Sequence, residues 1–528
     1  MRGAAAGVAA AVALALPAVA HATTAQDAAL ARKGITRALE RHWVKPLDAQ
    51  RYRAAVTRAV RDAKTLPRLR ADVVAAQLSQ LTPLWDSYTS PRALTLFTQL
   101  ETNLDYFESH VVPTTRIDVP DDEGVVYRWF PRLGLEFHPL ANFGALNYVA
   151  STGDPEATRT LADALVARAI PRGGRLLWEY EFRFVGGRPP WVSGMAQAVA
   201  AQALARSAAL LEDSQLGADA VRAFASVPSL LLSLPSGPWV RLYGFNGQVV
   251  LNAQLQAILS LVEYANATQD EAAVGLAQQL AATARVLFPR FDTGDWSRYQ
   301  LGGAYATREY QKFVTDLLAK LAKQTQDPFW AATAQRFHAY YYDPPQVTQP
   351  APPPAIWPQP ADGWLDVAPI TITLSMRASV TLAVGGNIST YKLGAGTRTL
   401  NWTPPPGLAP GTYPARVAVK SYAGNKATYA LAPVVVRADT TPPAIVAASL
   451  SGTTLTWQAD DPGTPWLALH VDLVDPSGVN PPQTIDLGQQ PTSGSLVLTV
   501  PPGTWQATLQ ATNSAGLTTP YPLGTLTG

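Results

Sequence analysis

The sequence predicts an all-α body of repeated helix pairs, an α/α toroid carrying a small β-hairpin, followed by two β-sandwiches of immunoglobulin or fibronectin type. Three observations carry this. Asp154, Asp213, Asp270 and Asp327 recur 59, 57 and 57 residues apart, each in a short turn between an apolar helical stretch and an alanine-rich amphipathic one. Proline then divides the chain: 18 of the 45 prolines lie in residues 1–343 and 27 in the last 185. Beyond that border the apolar period changes from helical to two.

In chain order, residues 1–22 read as a signal peptide. Arg2 is the basic start, Gly3 to Leu16 the apolar run, and Ala20-His21-Ala22 the cleavage site, so the mature chain is expected to be secreted or held in the cell envelope. Residues 23–343 form the toroid, with 25–110 supplying helices ahead of the four aspartate-marked pairs. Each aspartate stands where an N-cap belongs, and Pro155 and Pro328 follow at the first helical position, where a missing N–H costs nothing. A helix pair cannot bury its apolar face alone, so the units must stack. Within this body WEYEFRF (178–184) alternates strictly. Trp178, Tyr180, Phe182 and Phe184 lie on one face, and Glu179, Glu181 and Arg183 on the other, solvated or lining a substrate. The stretch 344–360 holds eight prolines in 17 positions and is expected to be a stiff spacer. Two sandwiches follow, at 361–437 and 438–528. GTYPARVAVKSYAGN (411–425) repeats as GTWQATLQATNSAG (503–516) at an offset of 92.

Composition removes whole classes of function. The net charge is +2 and only 15% of residues are charged, which leaves no concentrated basic face for nucleic acid. The chain has no cysteine, hence no disulfide, thiolate nucleophile or Cys-ligated metal, and its six histidines form no HExxH. No metal or organic cofactor is implied. Ser389 and Lys392 fit S-x-x-K but lie in a strand-rich domain without companion motifs. His138 reads as a packing residue more readily than a catalytic one. Glu179 and Glu181 are neighbours on one strand, whereas glycosidase carboxylates flank the scissile bond. Tyr243, Tyr299 and Tyr310 are more suggestive, because Arg241, Arg298 and Arg308 stand one or two positions before them. A guanidinium beside a phenol lowers its pKa and can hold an anionic substrate.

Four blocks resemble one family. PPWVSGMAQAVAAQALARSAAL (189–210), WVRLYGFNGQVVLNAQLQAILSLVEYANATQD (239–270), FDTGDWSRYQL (291–301) and REYQKFVTDLLAKL (308–321) are similar, in order, to motifs of D-glucuronyl C5-epimerases. The resemblance runs over about residues 128–342. It implies a helical toroid and places the family's functional tyrosines on Tyr243, Tyr299 and Tyr310. The chain departs from the family at Leu242, Gln300, Gly302 and Gln311, where the family carries an acid, an aspartate, an arginine and a histidine. The implied activity is inversion of C5 in uronic acid residues of a polysaccharide, with two tyrosines exchanging the proton and arginines steadying the enolate-like intermediate. Candidate substrate-binding residues are Arg183, Arg241, Arg298, Arg308, Glu179, Glu181 and Trp191, with Trp178, Trp239 and Trp296 as further stacking surfaces. A uronate lyase and a non-catalytic glycan-binding or envelope protein on the same scaffold are the alternatives. The sandwiches would then attach to wall or envelope glycan, or act as spacers.

Overall fold

The computed structural model describes residues 23–528, and the expected signal segment lies outside them. The chain divides into two compact units meeting at Tyr341 and Tyr342. The first is helical and the second is built of β-sheets. Among the described residues no helix is long and apolar enough to cross a membrane.

The helical unit opens with α1 (Thr24–Glu40), α2 (Pro46–Thr65), α3 (Arg68–Leu81) and α4 (Ser90–Ser109), packed around a shared core that includes Tyr52, Leu78, Phe97 and Leu100. A three-stranded meander follows: β1 (Asp118–Pro120), β2 (Val126–Phe130) and β3 (Gly134–Phe137). Four helix pairs come next: α5 (Pro139–Thr152) with α6 (Pro155–Ala167), α7 (Gly194–Leu211) with α8 (Ser214–Phe224), α9 (Leu251–Thr268) with α10 (Glu271–Leu287), and α11 (Arg308–Thr325) with α12 (Pro328–Tyr342). The first helices of the pairs pack in sequence, α5 on α7, α7 on α9 and α9 on α11, forming an inner row. Two small hairpins interrupt the pairs, β4 (Ile170–Arg172) with β5 (Arg175–Leu177) and β6 (Leu231–Leu234) with β7 (Gly237–Val240).

The 57-residue period is visible in the turns. Each inner helix ends on a left-handed residue, Gly153, Glu212, Gln269 or Gln326, at φ 73, 51, 58 and 51°. The next residue is the periodic aspartate. Asp154, Asp213 and Asp270 accept N–H groups of the following first turn, and Asp327 accepts from Phe329 N. The other oxygen of Asp213 takes Arg159 of the preceding outer helix at 2.5 Å, and Asp327 is bound by Arg285 in the same way. One side chain thus ends a turn and joins neighbouring pairs.

The amphipathic N-terminal helices are fastened to the meander by buried polar groups. Gln77 and Gln80 donate to Glu136 Oε1 at 2.8 and 2.7 Å, and Gln99 donates to Oε2 at 2.7 Å. Asn103 brackets Leu135, donating to its carbonyl and accepting its N–H. No cation contacts the Glu136 carboxyl in this set, and burial pushes it up to about 7 against the pull of the three amides.

The second unit holds two sandwiches of one design. The first sets β8 (Val347–Thr348), β9 (Ala368–Leu374) and β12 (Gly396–Trp402) against β10 (Ala378–Val384), β11 (Asn387–Leu393), β13 (Gly411–Ser421) and β14 (Lys426–Val436). The second sets β15 (Ala444–Ser451), β16 (Thr454–Asp460) and β19 (Ser493–Val497) against β17 (Trp466–Val474), β18 (Gln483–Pro491), β20 (Thr504–Thr512) and β21 (Thr518–Thr527). The repeat at offset 92 falls on the same central strand of each. Ala415, Val417 and Val419 are buried, as are Ala507, Leu509 and Ala511. The turns match as well: Ser421 N donates to Asn425 O, and Asn513 N to Leu517 O.

The structure parts from the expected spacer at 344–360. Val347 and Thr348 pair with β9, and Ile356 is buried in the first sandwich, bonded to Val435 and Arg437. Proline content obscured two apolar residues that the sandwich core needs. Ser389 and Lys392 lie three apart on β11, so they face opposite sides of the sheet and form no site.

Gln269→Gly should raise stability by about 1 kcal/mol in urea unfolding, because glycine adopts the left-handed cap without strain; Asp270→Ala should lower it by a similar amount. Glu136 gives a pH signature. An acid raised from 4.5 to about 7 keeps its proton in the folded state where the unfolded chain has released it. Its contribution, about 3 kcal/mol, is full below the unfolded value and is lost as pH rises through the folded one. Glu136→Gln should flatten that fall between pH 4.5 and 7 in equilibrium denaturation.

Candidate functional site

The loops that precede the inner helices meet at the N-terminal end of the row. A single residue type holds them there. At the fourth position of each inner helix stands a fully buried amide: Asn142, Gln197, Gln254 and Gln311. Asn142 accepts Val126 N at 2.7 Å and donates to Val126 O at 2.8 Å. Gln197 donates to Trp178 O at 3.2 Å. Gln254 accepts Val240 N at 2.8 Å and donates to Leu280 O at 2.9 Å. Gln311 accepts Ser297 N at 2.9 Å and Ser297 Oγ at 2.6 Å. Each helix thereby fixes the backbone that leads into the site. This signal was present in the sequence, since Gln197, Gln254 and Gln311 are spaced by the same 57 residues as the aspartates.

The site is an aromatic cleft lined by Arg128, His138, Tyr180, Phe184, Trp191 and Tyr243, among others, with Ser193 and Asn252 from the first turns of α7 and α9. Tyr180 stacks on Trp191 with centroids 4.0 Å apart and planes at 4°. Tyr243 packs against Phe184, Trp191 and Phe245 at 5.5–5.9 Å. Gly187 is required for this packing, because a Cβ there would sit 2.3 Å from the Phe245 ring. The cavity volume is ≈ 50 Å³, so a sugar ring enters fully only when the aromatic walls part.

The three tyrosines converge, but not equivalently. The hydroxyls of Tyr243 and Tyr299 are 3.2 Å apart. Tyr299 meets Tyr310 edge to face at 4.9 Å. Tyr310 is fully buried, and its hydroxyl accepts Asn252 N at 3.0 Å while lying 3.1 Å from Tyr299 O and 3.2 Å from Asn252 Oδ1. It caps the first turn of α9, whose N-cap Val250 has no side-chain oxygen, and it braces the Tyr299 loop rather than opening on the cleft.

The neighbouring arginines do not serve these phenols. Arg241 donates to Leu231 O and Asn246 O, at 3.4 and 3.1 Å. Arg298 donates to Gly303 O at 2.6 Å and lies over Tyr305. Arg308 is exposed beside Tyr341, and Arg183 is exposed. Nearby backbone carbonyls have claimed the first two. Burial then pushes Tyr243 and Tyr299 above the ordinary phenol range, opposite to the expected lowering. The cation in the cleft is Arg128, which sequence reading passed over inside an aromatic stretch. Its Nε and Nη2 each hold a carboxylate oxygen of Asp118 at 2.7 Å.

Residues 178–184 also differ from expectation. They form isolated bridges, Tyr180 to Trp191 and Phe184 to Gly187, rather than a regular strand. The face read as solvated is buried: Arg92 of α4 donates to Glu179 at 2.7 Å and approaches Glu181 at 3.6 Å, and Arg172 reaches Glu179 at 3.3 Å. Burial, then the Glu179 charge, pushes the Glu181 carboxyl well above its usual range. Arg92, on a helix outside the family-like region, pairs with these buried glutamates, and neither is among the residues that line the cleft. Of the tryptophans, Trp191 lines the cleft, whereas Trp178, Trp239 and Trp296 are buried and donate to backbone carbonyls. The departures from the family pattern have structural places. Leu242 lines the cleft, Gln300 bridges to Val250, Gly302 turns at φ 71°, and Gln311 is one of the four buried amides.

Residues 172–339 match the family model described as D-glucuronyl C5-epimerase C-terminus, confirming the resemblance over that segment. A search of curated proteins finds no match. Solved structures give distant likenesses. An α-mannanase from Bacteroides thetaiotaomicron is 15% identical at a TM-score of 0.30 over 38% of this chain and 59% of its own. An endo-β-1,4-glucanase from Acetobacter xylinum is 14% identical at 0.28, over 44% and 77%. Fibronectin(III)-like modules of Clostridium thermocellum CbhA are 15% identical at 0.17, over 34% and 93%. The chain thus spans about three fifths of the mannanase.

Gln254→Ala should cost about 1–3 kcal/mol, by leaving Val240 N–H buried without a partner. The same substitution should blunt the near-UV dichroism of the Tyr243 loop aromatics, while Gln256→Ala, on a partly buried position of the same helix, should leave both close to wild type.

Proposed function

We propose that the helical unit takes one uronic acid residue of an acidic polysaccharide into the aromatic cleft and inverts it at C5. The observation that carries this is the Tyr243–Tyr299 hydroxyl pair, 3.2 Å apart, within the segment matching the epimerase family. A uronate ring entering between the two hydroxyls breaks their contact and puts one on each face of C5. One phenolate removes the C5 proton, the electron pair passes into the adjacent carboxylate, and the other phenol returns a proton to the opposite face. The growing negative charge meets Arg128 and the N-terminal ends of the inner helices, whose dipoles point positive ends at the cleft. Trp191 and the Tyr180 ring give the apolar floor that a sugar face needs.

Phenols held above their ordinary pKa are scarcely ionised at neutral pH, yet each phenolate is a strong base. The same reading makes the chain an exported enzyme, its helical pairs part of an α/α toroid, and its immunoglobulin- or fibronectin-like sandwiches an attachment to wall or envelope glycan.

Incubation with a polyuronate in D2O tests this. Deuterium at C5 in an intact chain is the expected result, falling about 10²–10⁴-fold in Tyr299→Phe. The exchange rate should climb about tenfold per pH unit between pH 7 and 9, because the phenolate fraction grows throughout that window. Chain shortening with unsaturated ends would make the protein a lyase, which expels the O4 substituent after the same proton abstraction. Binding without exchange, unchanged in Tyr299→Phe, would make it a glycan-binding protein.

A further inference from the structure

We infer that His138 is a neutral hydrogen-bond donor to the substrate carboxylate, an inference that rests on the uronate reading above. His138 stands at the N-cap of α5. The equivalent positions of α7 and α11 hold Ser193 and Thr307, ordinary capping residues whose side chains accept a first-turn N–H. Histidine is not a preferred cap, and a serine there would serve the helix as well in less space. Of the other inner helices only α9 lacks a side-chain cap, at Val250, where the Tyr310 hydroxyl takes the first-turn N–H instead, so the choice of histidine at α5 is explained by what else it supplies.

What it supplies is its second nitrogen. Nδ1 accepts Ala141 N–H at 3.1 Å, so Nδ1 carries no proton and the neutral ring carries it on Nε2. The ring is held in place, stacked beside Phe130 at 6.0 Å and edge-on to Tyr180 at 5.2 Å. His138 lines the same cleft as Tyr243 and Arg128. Among the described residues Nε2 has no protein partner and is not among the enclosed unpartnered atoms, so it opens on the cleft. Burial, then Arg128 and Arg116, holds the imidazole well below its ordinary pKa, so it stays neutral beside those cations. The arrangement is a fixed N–H aimed at the place where a carboxylate becomes an enolate-like dianion. Such a donor strengthens as charge develops, and it needs no proton transfer to act.

His138→Ser separates this role from capping, since it installs the residue type that α7 uses. The expected result is a melting temperature close to wild type, with kcat for C5 exchange in D2O lowered about 10²–10³-fold and KM changed far less. A purely structural histidine would leave kcat within about threefold, which would overturn the proposal. A second measurement stands apart from turnover: 15N spectra of the full chain labelled at histidine. His138 should show the Nε2–H tautomer from pH 5 to 9, and an oligoglucuronate should move its Nε2 resonance. A protonated Nδ1, or an Nε2 that ignores the oligosaccharide, would also overturn the proposal. If the wild type shows no exchange at all, the epimerase reading falls; a moved Nε2 resonance would still establish the donor, and an unmoved one would remove it.

Discussion

The helical unit depends on one repeated constraint, a buried amide at the fourth position of every inner helix. A loop that crosses the end of a helical row has backbone groups with no regular ladder to join. Left unpaired and buried, each such group costs more than a hydrogen bond returns. Asn142, Gln197, Gln254 and Gln311 meet that demand from within the first turns, and in doing so tie loop position to helix position. The backbone that leads into the loops carrying Tyr243 and Tyr299 is therefore anchored to the helices behind it at Val240 and Ser297, while the aromatic side chains that must part for a sugar ring lie beyond those anchors.

The same logic extends to the helices ahead of the epimerase-like segment. Glu136 and its three glutamines, together with Arg92 and the Glu179–Glu181 pair, fasten α3 and α4 to the back of the cleft wall. Both networks bury polar groups, an ion pair in the second, and such groups stabilise little by themselves and are costly to disrupt. Their effect is positional. The strand that leads into His138 is held at Glu136, and the segment that carries Tyr180 is held at the glutamates on either side of it.

Much of this was legible. Asp154, Asp213, Asp270 and Asp327 announced the helix pairs because capping is a local interaction with a strong residue preference, and the repeat at offset 92 marked the same strand of both sandwiches because buried alternation is also local. The tyrosines were singled out by the arginines beside them in sequence and given a role by motif resemblance. The rest depended on tertiary partners. Glu179 and Glu181 alternate as a solvated face would, but Arg92, 87 and 89 positions earlier, covers them. Arg241 and Arg298 adjoin the tyrosines in sequence, but loop carbonyls turn their side chains elsewhere. Arg128 lay in a stretch whose aromatic content masked it, and His138 in the same stretch read as a packing residue. Val347 and Ile356 were hidden by the prolines around them.

The most direct test of the central claim is a crystal structure of the full chain with an oligoglucuronate bound. The account predicts a uronate ring in the aromatic cleft over Trp191, its carboxylate toward Arg128 and His138, and C5 between the Tyr243 and Tyr299 hydroxyls. A sugar bound only elsewhere, or one whose C5 lies out of reach of both phenols, would contradict it.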